Sequence, residues 1–155
     1  MPGRLPPTTW GPFFWHTMHL VALGYPVEPT YAEKQAAKQF FESFTQLIPC
    51  PICRVHYTEN LKEMPITPSL DSRKDLFRWT VDMHNKVNKQ LDKPEYTEQQ
   101  AITYYMRLGE MGRSPVWTPD DIQSADFKKI ALIGGGALLL AGVAGFATYY
   151  FTRKE

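Results

Sequence analysis

The amino-acid sequence predicts an all-α protein: a helical bundle followed by a C-terminal transmembrane helix. Two observations carry the bundle. Apolar residues recur at three- and four-residue spacing in successive segments, some of them opened by capping-box pairs, and no convincing strand pattern interrupts them. A third observation carries the membrane helix. Ile130 to Phe151 is a run of 22 residues without a charge, which at about 1.5 Å per residue spans a hydrocarbon core of roughly 30 Å.

Taken in order, residues 1–7 hold Pro2, Pro6 and Pro7 and read as a flexible leader with no apolar signal-peptide core. Thr8 or Thr9 offers an N-cap to a first helix over about 9–23, with Trp15, His19 and Ala22 in register and Phe14 and Met18 alongside. Gly24 and Pro26 stop it. Thr30 and Glu33 form a capping box for the second helix. Its apolar stripe is Ala37, Phe40, Phe41, Phe44, Leu47 and Ile48. Pro49 disfavours helical geometry at Ile48, so the chain turns there. The third helix starts in Pro49-Cys50-Pro51-Ile52-Cys53 and runs to about Leu61; Pro65 and Pro68 make a loop after it. Ser72 with Asp75 caps a fourth helix over about 72–91, whose inner side is Leu76, Trp79 or Thr80, Met83, Val87 and Leu91. Thr97 and Gln100 cap a short fifth, with Ala101, Tyr104, Tyr105 and Leu108 inward. The domain plan is therefore a leader (1–7), a helical domain (8–112), a polar connector (113–129), the membrane span (130–151) and a short tail (152–155).

The chain of 155 residues has a formal net charge of +1, which gives no field for nucleic acid. Aromatics make up 14%, with four Trp, eight Tyr and nine Phe. They suit an aromatic core or a pocket for a flat ligand. Tyr149 and Tyr150 sit where an interfacial belt belongs, and Lys128, Lys129, Arg153 and Lys154 flank the span evenly, so charge does not choose its orientation. The short tail points to a tail anchor that leaves the helical domain in the cytosol.

Both cysteines lie in one stretch, Cys50-Pro51-Ile52-Cys53. At a helix start their sulfurs lie near the positive end of the helix dipole, which favours the thiolate that performs disulfide exchange. The pair reads first as a redox disulfide. Two other readings stand beside it. A zinc site needs four ligands and would have to recruit His56 and a distant histidine. A structural disulfide over so short a loop gains little chain entropy.

Trp15 and His19, then Cys50, Cys53 and His56, then His84, Asn85 and Asn88 fall on three different helices. Singly, each has a plain explanation: a core tryptophan, hydrogen-bonded core histidines, a polar helix face. Together with a dithiol they point to a flat redox cofactor inside a bundle, and no metal.

Three motifs then carry a family resemblance: Trp10-Gly11-x-x-x-Trp15-x-x-x-His19, Cys50-x-x-Cys53-x-x-His56-Tyr57, and His84-Asn85-Lys86-Val87-Asn88 followed by Leu91, Lys93-Pro94 and Tyr96. In order and spacing the sequence resembles the Erv/ALR family of FAD-linked sulfhydryl oxidases over about residues 8–110. The resemblance implies a four-helix bundle plus a short fifth helix, holding FAD non-covalently in a homodimer. It implies that Cys53 is the flavin-side cysteine and Cys50 the one met by substrate. Gly11, Trp15, His19 and His56 would help enclose FAD, and His84, Asn85, Val87, Asn88 and Leu91 would line it from the fourth helix. Electrons would pass from substrate dithiols through Cys50–Cys53 to FAD and on to O2, giving H2O2. The sequence departs from many members in having no third cysteine. Without an internal shuttle pair, a dithiol-bearing or thioredoxin-like protein must reach Cys50 directly. A compact core of this kind resembles the members of large DNA viruses, which implies disulfide formation in viral proteins and an anchor in a virion or endoplasmic-reticulum-derived membrane. The competing readings are a non-enzymatic tail-anchored helical adaptor with a structural disulfide, and a zinc-binding interaction module.

Overall fold

The computed structural model describes residues 5–112. Five α-helices follow one another: α1 (Pro7–Leu23), α2 (Tyr31–Leu47), α3 (Pro51–Glu63), α4 (Arg73–Gln90) and α5 (Glu98–Glu110), with a 3-10 turn, Thr67–Ser69, between α3 and α4. There is no strand among the described residues. Helix α1 pairs with α4, α2 with α3, and α5 rests on α4. The connector and the apolar run over 130–151 lie outside the described residues. Among the described residues no helix is long and apolar enough to cross a membrane.

Helix α1 begins earlier than the threonines suggest. Pro6 is its N-cap, Pro7 its first residue, and no side chain caps it. Proline suits that first turn because its ring fixes φ and the amide proton it lacks would have no partner there. The capping boxes of α2 and α5 form as read: Thr30 and Glu33, then Thr97 and Gln100, bond reciprocally to each other's backbone. Ser72 accepts from the Asp75 amide at the head of α4. Ile48 leaves the helix with ψ 129°, the extended backbone that Pro49 demands. The turn into α3 is held by Arg54, whose Nε donates to the Ile48 carbonyl at 2.6 Å.

The core is aromatic. Phe41 meets Trp79 edge-on at 5.3 Å and Phe40 at 5.0 Å, and Phe44 continues the stack towards Phe14 and Tyr57. Tyr57 pins α3 to α2 by donating to the Phe41 carbonyl. Trp79 pins α4 to the end of α3 by donating to the Met64 carbonyl. Trp79 and Thr80 are both buried, so the fourth helix uses both positions between which periodicity could not choose.

Three residues expected on inward faces are not buried in the core, and two of them, Leu91 and Tyr104, line an open cleft instead. Leu47 is 64% exposed, because in the last turn of α2 its neighbour Ile48 takes the inward place as the chain turns. Leu91, at the C-cap of α4, is 57% exposed. Tyr104 is largely exposed, while Ala101, Ile102 and Tyr105 carry the contact of α5 with the core. No residue of α5 is fully buried.

Candidate functional site

The three motifs meet in one open cleft of about 1270 Å³ bounded by residues of all five helices, by Ile48 and by the segment after α4. Ligand pockets run to roughly 300–1,000 Å³, so this one has room for a large, extended molecule. Gly11, Trp15, His19, Cys53, His56, His84, Asn85, Val87, Asn88 and Leu91 all line it. Cys50 does not.

The redox stretch is built by the start of α3. Cys50 is the N-cap, Pro51 the first helical residue, and Cys50 Sγ accepts the Cys53 amide at 3.3 Å. Cys50 and Cys53 are bonded to each other, with Cα atoms 5.2 Å apart. Both are partly exposed. The disulfide therefore shows one sulfur-bearing residue to the cleft and keeps the other outside its lining. His56, two residues beyond Arg54 on the same helix, is exposed at the cleft edge rather than buried in it.

The lining also holds a stack of rings. Trp15 lies flat on His84, centroids 4.0 Å apart and planes 7° apart. His19 Nε2 is 3.1 Å from His84 Nδ1, and His19 Nδ1 is 2.9 Å from Thr80 Oγ1. Burial, with the neighbouring imidazoles, lowers the His19 pKa to about 3. Burial, with Lys93 and His16, lowers that of His84 to about 4. Both rings are neutral at pH 7.

Sequence reasoning missed two wall residues of note. His16 Nδ1 lies 3.0 Å from the Tyr105 hydroxyl, joining α1 to α5. Its signal was only adjacency to Trp15; its partner is 89 residues away. Trp10 also lines the cleft, and its Nε1 is a buried donor with no hydrogen-bond partner among the described residues. Buried donors are normally paired, so this N–H is suited to an acceptor on a ligand. Asn85 does something other than face a ligand with its amide. Its Nδ2 donates to the Tyr96 carbonyl and its Oδ1 accepts the Tyr96 amide, which clips the α4–α5 segment against α4. Asn88 is buried at the cleft wall, and Lys93 brings a positive charge there. Among the described residues no group of three or more His, Cys, Asp or Glu side chains is arranged to hold a metal ion.

The neutral imidazoles give a pH prediction. In the unfolded chain histidine titrates near 6.5, well above both folded values. Below that pH the unfolded chain takes up protons that the folded one refuses. Stability therefore falls as pH drops from 7 towards 4, by on the order of 3 kcal/mol for each of the two rings. Urea midpoints measured across that range check it, and a flat profile between pH 7 and 4.5 contradicts it.

The chain was compared with known proteins. The Erv1 / Alr family profile matches residues 12–106. A protein of Acanthamoeba polyphaga mimivirus, named a probable FAD-linked sulfhydryl oxidase, is 40% identical over 99 residues, covering 63% of this chain and 65% of its own length. The mitochondrial FAD-linked sulfhydryl oxidase of Saccharomyces cerevisiae is 39% identical over 82 residues, covering 53% of this chain and 42% of that one. The match thus spans less than two thirds of either relative. The crystal structure of the yeast Erv1 core superposes with a TM-score of 0.56 at 34% identity, over 64% of this chain and 89% of that one. With the profile covering well over half the sequence and the same helical core in a solved relative, the chain belongs to the Erv1 / Alr family.

Proposed function

We propose that this protein is an FAD-dependent sulfhydryl oxidase that forms disulfide bonds in protein substrates. One observation carries the reading: of the two bonded cysteines, Cys53 lines the large cleft and Cys50 does not. A disulfide so placed can exchange with a protein thiol at one sulfur and face an acceptor in the cleft with the other.

The residues fit FAD. Trp15, His84 and Tyr105 offer flat faces, the unpartnered Trp10 Nε1–H offers a donor, and Lys93 offers charge to a diphosphate. When bound, FAD supplies a two-electron acceptor that restores the Cys50–Cys53 disulfide and passes the electrons to O2, giving H2O2. The cysteines do the rest. A substrate thiolate attacks Cys50 Sγ, a mixed disulfide forms, and Cys53 leaves as a thiolate. The positive end of α3 favours that leaving group. The second substrate thiol attacks the mixed disulfide at the substrate sulfur, and Cys50 is released as substrate departs oxidised.

The setting belongs to the same proposal. The uncharged run over 130–151 supports a single-pass membrane anchor behind an oxidase domain over 8–112, joined by the connector 113–129. The mimivirus relative supports a viral role; the proposal adds a domain facing the cytosol from a virion or endoplasmic-reticulum-derived membrane. A dithiol or thioredoxin-like protein is the substrate, because no further cysteine exists to relay electrons. A homodimer completes the picture, by analogy with the family.

The full chain, purified and supplied with FAD, is expected to retain a yellow flavin spectrum and to consume oxygen when given a dithiol. A folded, colourless protein that takes up no oxygen under those conditions would favour the non-enzymatic adaptor instead.

A further inference from the structure

We infer that Thr80, which touches neither cysteine, is a positioning residue that fixes the proton order of the His19–His84 pair, so that His84 meets the cleft as a hydrogen-bond acceptor. Thr80 is fully buried in α4. Its Oγ1 lies 2.7 Å from the Phe77 carbonyl and 2.9 Å from His19 Nδ1. Two acceptor oxygens held 2.7 Å apart in a dry site repel, so the hydroxyl proton points at the carbonyl. The hydroxyl then has only lone pairs for His19, and His19 Nδ1 carries the hydrogen.

The order propagates. A neutral imidazole has one N–H, so His19 Nε2 is bare. His84 Nδ1, 3.1 Å away, supplies the hydrogen between them. His84 is neutral as well, held so by burial and by Lys93, and its remaining nitrogen, Nε2, is left without a proton. Among the described residues that atom has no side-chain or backbone partner, and His84 lines the cleft. Reversing the order at Thr80 would reverse it at every step and turn Nε2 into a donor. The groups packed around the pair do not impose the opposite order: His16 is bonded to Tyr105, and Phe77 and the Tyr105 ring meet His19 only through ring contacts.

The ligand chemistry that suits a bare nitrogen beside a tryptophan face is a flat heterocycle with an N–H or amino edge. That half rests on the flavin reading above; the proton order does not. The test is long-range nitrogen–proton correlation spectroscopy on the full chain with labelled histidine at pH 7. His19 and His84 are both expected in the Nδ1–H tautomer. His84 found as the Nε2–H tautomer overturns the inference without any variant being made. Thr80→Val keeps the shape but removes both roles of the hydroxyl. It is expected to depopulate the Nδ1–H form of both rings and to weaken FAD binding, read by flavin fluorescence, about tenfold. Thr80→Ser is expected to restore both. Unchanged tautomers in Thr80→Val, or shifted tautomers with unchanged FAD affinity, refute the assigned role. A wild-type chain with the expected tautomers but no affinity for FAD would sink the flavin reading and leave the proton order standing.

Discussion

Cys53→Ala is expected to cut dithiol-dependent oxygen consumption by about three orders of magnitude while leaving the flavin in place. The reason is positional. Cys53 is the one cysteine in the cleft wall, and Cys50 sits at the N-cap outside that lining. With Cys53 gone there is no disulfide for a substrate to open, and no cleft-side thiolate to hand electrons onward. The helix should survive loss of the disulfide, because the N-cap hydrogen bond from the Cys53 backbone amide to Cys50 Sγ needs no Cys53 side chain. Flavin retention should survive too, since the ring stack of Trp15 and His84 and the Trp10 donor are untouched. Oxygen uptake and the visible spectrum, measured on the same preparation, separate loss of chemistry from loss of cofactor. Oxygen uptake at near the wild-type rate would show that electrons take another route.

Phe41→Ala is expected to destabilise the fold by about 3–5 kcal/mol, a large share of what a domain of this size has to spare. Phe41 is wholly buried, and its ring is met edge-on by both Phe40 and Trp79. It is also the residue whose carbonyl receives the Tyr57 hydroxyl. The substitution therefore opens a cavity at the junction of α2, α3 and α4, where collapse is resisted from three sides. Urea unfolding followed by tryptophan fluorescence reads the effect. A midpoint unchanged from wild type would mean that the aromatic stack contributes little.

Local chemistry was legible where it is local. Both capping boxes, the Ser72 cap and the Pro49 turn depend on residues within three or four positions, and all four appear as read. The start of α1 was misplaced because prolines look like leader until one sees that the first turn has no use for their missing protons. Leu47 follows the helical period yet is exposed, and Tyr104 follows it into the open cleft rather than the core, since periodicity marks a stripe without saying what covers it. Every candidate cofactor residue lies along the cleft, because those residue types at those spacings belong to a recognisable motif set. Nothing in that set reveals that Asn85 spends its amide on the Tyr96 backbone, or that Thr80 and His16 matter. These are bonds between segments far apart in sequence, fixed only once α1, α4 and α5 are packed.

Under the proposed function, the first turn of α3 is a two-terminal junction. Both cysteines are partly exposed, but only Cys53 belongs to the lining of the cleft. The two are separated by a single proline-isoleucine step. Under that function, the order from substrate thiol to Cys50, Cys53 and cleft follows from the placement of four consecutive residues and needs no moving part.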